Sequence, residues 1–380
     1  MGCRWDDSAM KILSFMNPVR FGGGERLMLD LGDYFRSQKV DFLVINLNRS
    51  LEFDEKLDGH AIRHVNIGNK GFKQTPRKSE YLMLMFRVLG RIPSIRKVVA
   101  AEHPDVVLAN GFPSILLVAL ALSFMAKPPR MVYVHHFMKA KERAPVAVAY
   151  AFLLGRYDRI IAVSSRTKET LVAQFPRLQH KMVSVPNGID CARFDIHEER
   201  HALRQRLNLP EGVLAICVGR LVAFKNQKAL IELAANMEQK DFHVIIAGDG
   251  DDYQMLHDTI AERALDGRVQ LLGPIDSEEL PLYLRAADIF AYPSLKEGFG
   301  IVIAEAMAAY LPTVILRDIY IPEFGDGAII AKDIDEFEAV IKHLAADGKL
   351  RRHLGMKARG YAEANLDISV TGRKFLEAIC

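Results

Sequence analysis

The feature that most constrains this chain is an alternation: short apolar strand patterns recur from end to end, with helical patterns between most of them. Strands are expected at Ile12 to Met16, Val40 to Asn46, Asp105 to Ala109, Met131 to His135, Arg159 to Val163 and Lys181 to Val185. A second series follows at Val213 to Cys217, His243 to Ala247, Val269 to Leu271, Ile289 to Ala291, Thr313 to Leu316 and Ala328 to Ala331. Strands separated by helices build parallel, doubly wound sheets whose binding crevice lies at the carboxyl ends of the strands. A length of 380 residues with 50% hydrophobic content suits two such domains, each with a sizeable core. Pro186 and Gly188 break the strand pattern around Asn187-Gly188-Ile189-Asp190, which marks the link. The expected fold is therefore α/β, with two doubly wound, Rossmann-like domains over 10–187 and 188–360.

Several classes are argued against. The longest apolar run, Ile115 to Ala126, is too short to cross a bilayer and reads as a buried helix. The first nine residues are polar and Met10-Lys11-Ile12-Leu13 opens directly into a strand, so no signal peptide is visible; Met1 to Ala9 reads as an alternative start or a leader. Met1-Gly2-Cys3 does not make a myristoylation site, because Asp6 stands where Ser or Thr is wanted. Cys3, Cys191, Cys217 and Cys380 show no metal-type pairing, which points to a reducing, cytoplasmic setting. The net charge of +3 hides an asymmetry: residues 1–187 hold 28 Lys and Arg against 16 Asp and Glu, and residues 188–380 hold 22 against 31. The basic half is expected to face an anionic partner or surface.

The glycine loop between the strand ending at Ala291 and the Ala-, Met- and Glu-rich helix from Ile301 to Ala309 carries the chemistry. Gly298 and Gly300 permit a tight turn and let a ligand approach the backbone N–H groups. The helix start is an anion site, because its first N–H groups lack partners and the macrodipole is positive there. Glu297 on the loop and Glu305 in the helix can address two parts of one bound molecule. A βα turn with two solvated glutamates would use the same residues.

Glu297 and Glu305, set in Ser-Leu-Lys-Glu-Gly-Phe-Gly-Ile-Val-Ile-Ala-Glu-Ala-Met from Ser294 to Met307, resemble the signature of the retaining GT-B glycosyltransferases, family 4 (glycosyl transferases group 1). Other segments stand in the family's order: Phe21-Gly22-Gly23-Gly24-Glu25-Arg26, Val185-Pro186-Asn187-Gly188-Ile189-Asp190, Val218-Gly219-Arg220-Leu221 with Lys225, and Ala247-Gly248-Asp249-Gly250. The resemblance implies two domains facing a cleft, with a last helix over about 361–380 crossing back to the first domain. It implies that the Gly22-Gly23-Gly24 backbone faces the donor diphosphate; the spacing is not the GxGxxG dinucleotide fingerprint. His135 would lie near the sugar's C6 hydroxyl, with its neighbour His136 as the other candidate. Arg220 and Lys225 would neutralise the leaving diphosphate. Glu297 would hold the sugar hydroxyls, Gly298 and the Phe299-Gly300-Ile301 backbone the sugar and phosphate, and Glu305 the ribose. Gly273 and Pro274, within Leu272 to Ile275, would border the base. The chain departs from the pattern at Asn226, where the family has glycine, and at Arg317 to Glu323, where bulky residues replace a small loop.

Residues 70–101 admit two readings. Tyr81, Met85, Val88, Ile92, Ile95 and Val99 recur at helical spacing, with Pro93 expected to kink or divide the helix. Lys70, Lys73, Arg77, Lys78, Arg87, Arg91, Arg96 and Lys97 surround them. This is either a surface helix with a solvated basic face or an element that meets an anionic membrane and a lipid acceptor.

The reaction expected is retaining transfer of a hexosyl unit from a nucleotide diphosphate sugar, UDP before GDP, to a hydroxyl of a lipid-linked or polysaccharide-precursor acceptor. It needs neither metal nor further cofactor, and no nucleic-acid partner is implied; peripheral contact with the inner membrane face is. A glycosidase using Glu297 and Glu305 would leave Arg220 and Lys225 without a purpose. A non-catalytic nucleotide-sugar scaffold would bind donor without turnover.

Overall fold

The computed structural model describes residues 10–18, 21–68, 89–111, 113–123, 125–136 and 144–380, the side chains of 144–146 apart. They fall into two units, Met1–Gly188 with Ile368–Cys380, and Ile189–Asp367.

The first unit is built on β1 (Lys11–Met16), β2 (Asp41–Asn46), β3 (Arg63–Asn66), β4 (Val106–Asn110), β5 (Arg130–His135), β6 (Arg159–Ala162) and β7 (Met182–Ser184). These seven strands pair in parallel in the order β3-β2-β1-β4-β5-β6-β7. The order reverses between β1 and β4, so the carboxyl ends of those two strands flank the switch point at which such sheets bind ligands. Nearly every residue of β1, β2, β4 and β5 is buried, as expected of strands covered on both faces. Each large aliphatic or aromatic side chain buried this way contributes about 1.5–3 kcal/mol. β3 reads Arg-His-Val-Asn with alternate exposure, a polar strand pairing with β2. It is absent from the expected series because its sequence carries no apolar run.

The second unit holds β8 (Val213–Val218), β9 (Phe242–Ala247), β10 (Val269–Gly273), β11 (Ile289–Tyr292), β12 (Thr313–Leu316) and β13 (Ile329–Ala331). All pairings are parallel, in the order β10-β9-β8-β11-β12-β13, so its switch point lies between β8 and β11.

One expectation needs correcting. The end of the chain is not one helix over 361–380: helix Gly348–Asn365 stops before Leu366-Asp367, and only helix Ile368–Ile379 belongs to the first unit. That helix packs on helix Gly23–Ser37, with the rings of Phe35 and Phe375 6.1 Å apart. Gly372 makes the approach possible, since a Cβ there would stand 2.5 Å from Tyr34. The helical pattern is divided beside Pro93, as expected: Leu89 is helical, Gly90-Arg91 form a turn, and Pro93 sits in the first turn of helix Ile92–Glu102, where its missing N–H costs nothing. Within that helix Ile95 and Val99 are buried while Arg96 and Lys97 face solvent, the single-stripe arrangement; residues 69–88, with Lys70 to Arg87, lie outside the described residues. The bulky segment after β12 does not crowd its surface, because Ile319 and Ile321 turn inward and Phe324 packs on Phe299 at 5.4 Å.

Candidate active site

In the second unit, β8 and β11 deliver one motif segment each to the switch point. The chain leaves β8 through Gly219, at φ +158°, beside the Tyr292 hydroxyl. A short 3-10 turn, Ala223–Lys225, then buries Lys225. β11 ends at Tyr292, and the loop that follows carries Glu297. Lys225 Nζ donates to the Tyr292 hydroxyl at 2.6 Å and to Glu297 Oε1, and Tyr292 donates to the same carboxylate oxygen. Three residues from two separate stretches thus form one closed network, tied further by Leu295 N–H donating to the Phe224 carbonyl at 2.8 Å. Burial and the Glu297 charge push the Tyr292 phenol well above its ordinary value, so it stays a protonated donor. Beneath the network Cys217 is fully buried and its thiol is pushed up to about 12.

The neighbouring strand ends are glycine corners. A Cβ on Gly248 would fall 1.9 Å from the Gly219 carbonyl oxygen and one on Gly250 2.2 Å from that of Leu221, so the loops after β8 and β9 touch backbone to backbone. Gly273 has φ +71° and its carbonyl accepts from Gly248 N–H; Pro274 beside it is exposed. Gly298 is half-buried, and Gly300, at φ +82°, caps helix Ile301–Ala308 in the left-handed region, as the sharp turn requires. Phe299 between them is buried, so it anchors the loop while its backbone stays at the helix start. Glu305 is buried in that helix, and Arg220 is exposed, its carbonyl held by Gln227. The structure therefore brings Lys225 and Glu297 together and leaves the Arg220 side chain at the surface.

In the first unit, Gly22 caps helix Gly23–Ser37 in extended conformation; Gly22 and Gly23 are exposed and Gly24 half-buried. Burial raises the Glu25 carboxyl to about 7, against the pull of the Gly22 and Glu25 backbone N–H groups, and the charge of Glu52 adds to the rise. Arg26 is buried against Asp30, with Nε and Nη2 at 2.9 and 2.8 Å from Oδ1. His135 ends β5, buried, with Nδ1 3.1 Å from the Tyr133 hydroxyl and 3.4 Å from that of Tyr150. His136 lies 3.4 Å from Asn110 at the end of β4, and burial lowers its ring to about 4, which keeps it neutral. Sequence reasoning missed Tyr292, Tyr133, Tyr150 and Asn110. Each is a lone polar group in an apolar stretch, a weak signal until its partner is known.

Comparison with known proteins agrees with this architecture. Residues 21–193 match the family model Glycosyltransferase Family 4 and residues 199–361 the model Glycosyl transferases group 1. The phosphatidylinositol N-acetylglucosaminyltransferase GPI3 subunit of Saccharomyces cerevisiae is 26% identical over 62% of this chain and 53% of its own length. The GDP-mannose-dependent alpha-(1-6)-phosphatidylinositol monomannoside mannosyltransferase of Mycolicibacterium smegmatis is 27% identical over 58% of this chain and 62% of its own. The chain spans about half the length of the first of these relatives. The crystal structure of HepE from Anabaena in complex with UDP and glucose superposes with a TM-score of 0.83 at 22% identity, covering 97% of this chain and 99% of that one. Two parallel doubly wound sheets, the strand-end network of Lys225 and Glu297, and family models that between them take in most of the sequence lead to one conclusion: the chain belongs to the GT-B glycosyltransferases of family 4, glycosyl transferases group 1.

Proposed function

We propose that the protein transfers a hexosyl unit from a UDP-sugar to a hydroxyl of a lipid-linked or polysaccharide-precursor acceptor, with retention at the anomeric carbon and without a metal ion. The observation that carries this reading is the Lys225–Tyr292–Glu297 network, a cation and a carboxylate fixed side by side at a strand-end switch point. Lys225, with Arg220, stabilises the charge that grows on the diphosphate as the bond from the anomeric carbon to its oxygen breaks. Glu297 holds sugar hydroxyls, Glu305 the ribose, and the backbone from Gly298 to Ile301 the sugar and phosphate. The Gly22-Gly23-Gly24 backbone contacts the diphosphate, Gly273 and Pro274 border the base, and His135 takes the C6 hydroxyl. The acceptor oxygen bonds to the anomeric carbon on the face the diphosphate leaves, and its proton passes to a departing phosphate oxygen.

UDP is preferred as the carrier because HepE, of the same fold, was solved with UDP. A lipid-linked acceptor is preferred because two relatives act on phosphatidylinositol-based acceptors by name, and because the first half of the chain is basic. Contact with an anionic membrane face, the inner one in a cytoplasmic setting, is part of the same reading. The test is a thermal-shift screen of UDP-, GDP- and ADP-sugars, since a ligand that binds only the folded protein raises its Tm. Transfer to candidate acceptors is then followed with and without EDTA. Stabilisation by UDP-sugars and EDTA-insensitive transfer with an α-configured product from an α-configured donor are expected; stabilisation by none of the nucleotides would overturn the reading.

A further inference from the structure

Asp288 directly precedes β11, so it stands at the opposite end of that strand from the loop bearing Glu297. Beside it opens a cavity of about 460 Å³, within the range that holds small molecules. Arg200, Arg285, Arg351 and Arg352 line it, from three different helices. Its two acids are already engaged. Asp288 accepts from Arg200 Nη1 at 2.6 Å, from Arg204 Nη2 at 2.6 Å and from Leu214 N–H at 2.9 Å. Asp195 is bound by Arg359 Nη2 at 2.7 Å.

Arg285 and Arg351 are aimed by carbonyls that neutralise nothing: Ile196 holds Arg285, and Leu344 and Ala345 hold Arg351. Arg351 Nε is 4.0 Å from Asp288, and Arg352 is exposed at the rim. One carboxylate offsets the charge of one guanidinium; Asp288 already holds Arg200 and Arg204, so the wall carries more positive charge than it neutralises. Burial above all lowers the Arg200 pKa; Asp288 opposes the fall, and the charges of Arg285, Arg204 and Arg351 add to it. Planar guanidinium forks converging from several helices match the oxygens of a phosphate group.

We propose that this cavity is a second anion site, which binds a phosphomonoester or diphosphate group through Arg200, Arg285, Arg351 and Arg352. It lies at the other end of the sheet from the Lys225 network, so its occupant is a separate molecule from the sugar donor. The cavity is larger than a bare ion needs, so the phosphate belongs either to a small soluble metabolite or to a lipid headgroup.

The test is calorimetric titration of the full chain with inorganic pyrophosphate, comparing wild type with Arg352→Glu, with the double variant Arg200→Gln/Arg352→Glu, and with Arg220→Ala. Arg352 is exposed, so its substitution should leave the melting curve intact, which circular dichroism checks. A binding component that weakens by roughly tenfold or more in Arg352→Glu yet persists in Arg220→Ala is expected. Flotation with phosphatidic acid vesicles separates the sources. Flotation lost in Arg352→Glu assigns a headgroup, and pyrophosphate binding without flotation assigns a soluble phosphate. If wild type binds neither, or both arginine variants bind as wild type does, the site does not exist.

Discussion

The Lys225 ammonium donates to the Tyr292 hydroxyl at 2.6 Å, and that hydroxyl donates onward to the Glu297 carboxylate, so residues 67 and 5 positions apart in sequence act as one hydrogen-bonded unit. The tyrosine fixes both the cation and the carboxylate without neutralising either. Positioned charges of this kind act on a developing charge without having to reorganise first. Replacing Tyr292 by Phe keeps the ring stacked on Phe290 and the direct Lys225–Glu297 ion pair, and removes only the hydroxyl that braces them. A fall of about tenfold in kcat/KM with little change in Tm is expected, which steady-state kinetics and a thermal melt would check.

Removing the proposed diphosphate clamp should cost more. Arg220→Ala and Lys225→Ala are each expected to lower kcat/KM by about 2–4 kcal/mol of transition-state energy. Arg220 is exposed, so its variant should melt with wild type; Lys225→Ala leaves Glu297 without its ion pair and should also lower Tm. Near-normal transfer by both would remove the clamp from the mechanism.

The two signature glutamates should separate in a binding experiment. Glu305→Gln should weaken binding of bare UDP, because its proposed partner is ribose. Glu297→Gln should spare UDP and damage transfer, because its proposed partner is the sugar. Calorimetry with UDP reads the first effect, and equal losses for the two variants would reverse the roles.

Glu25 gives stability a pH dependence. Its folded pKa, about 7, lies above the value of 4.5 that it has when unfolded, so between those values the folded chain holds a proton that the unfolded chain has lost. Its contribution to stability is intact below about pH 4.5 and is lost as pH rises towards 7. Glu25→Gln should remove that loss, raising stability at pH 8 relative to wild type by on the order of 2 kcal/mol more than at pH 5. Urea unfolding at the two pH values would show it; a difference that does not change with pH would place the carboxyl in water.

The proposed membrane contact can be tested at two apolar residues of the first unit. Val148 and Phe152, one helical turn apart on helix Ala144–Gly155, are 71% and 69% exposed in the basic half of the chain. Apolar side chains displayed this way can enter the headgroup boundary beside basic residues that attract anionic lipid. Val148→Ser/Phe152→Ser should reduce co-sedimentation with anionic vesicles at low salt. Unchanged binding would leave the charge of the first half to account for it alone.

The alternation of apolar runs and helical patterns was enough to define two parallel doubly wound sheets, because a strand buried on both faces has no choice but an apolar sequence. The motif glycines were legible for a related reason: Gly300 in the left-handed region and Gly248 against the Gly219 carbonyl are positions where a side chain is sterically refused. β3 was not legible, since Arg63 to Asn66 is polar and is held in place by pairing with β2 rather than by its own burial. The break at Leu366-Asp367 was not read either, although Asn365 and Asp367 are residues that favour helix ends; only the pairing of Ile189 with Asp367 and the return of the chain to the first unit make it plain. Above all, sequence could nominate Lys225 and Glu297 separately but not join them. That contact exists only because β8 and β11 are neighbours in the sheet, a long-range pairing that places Tyr292 between a cation and a carboxylate from distant parts of the chain.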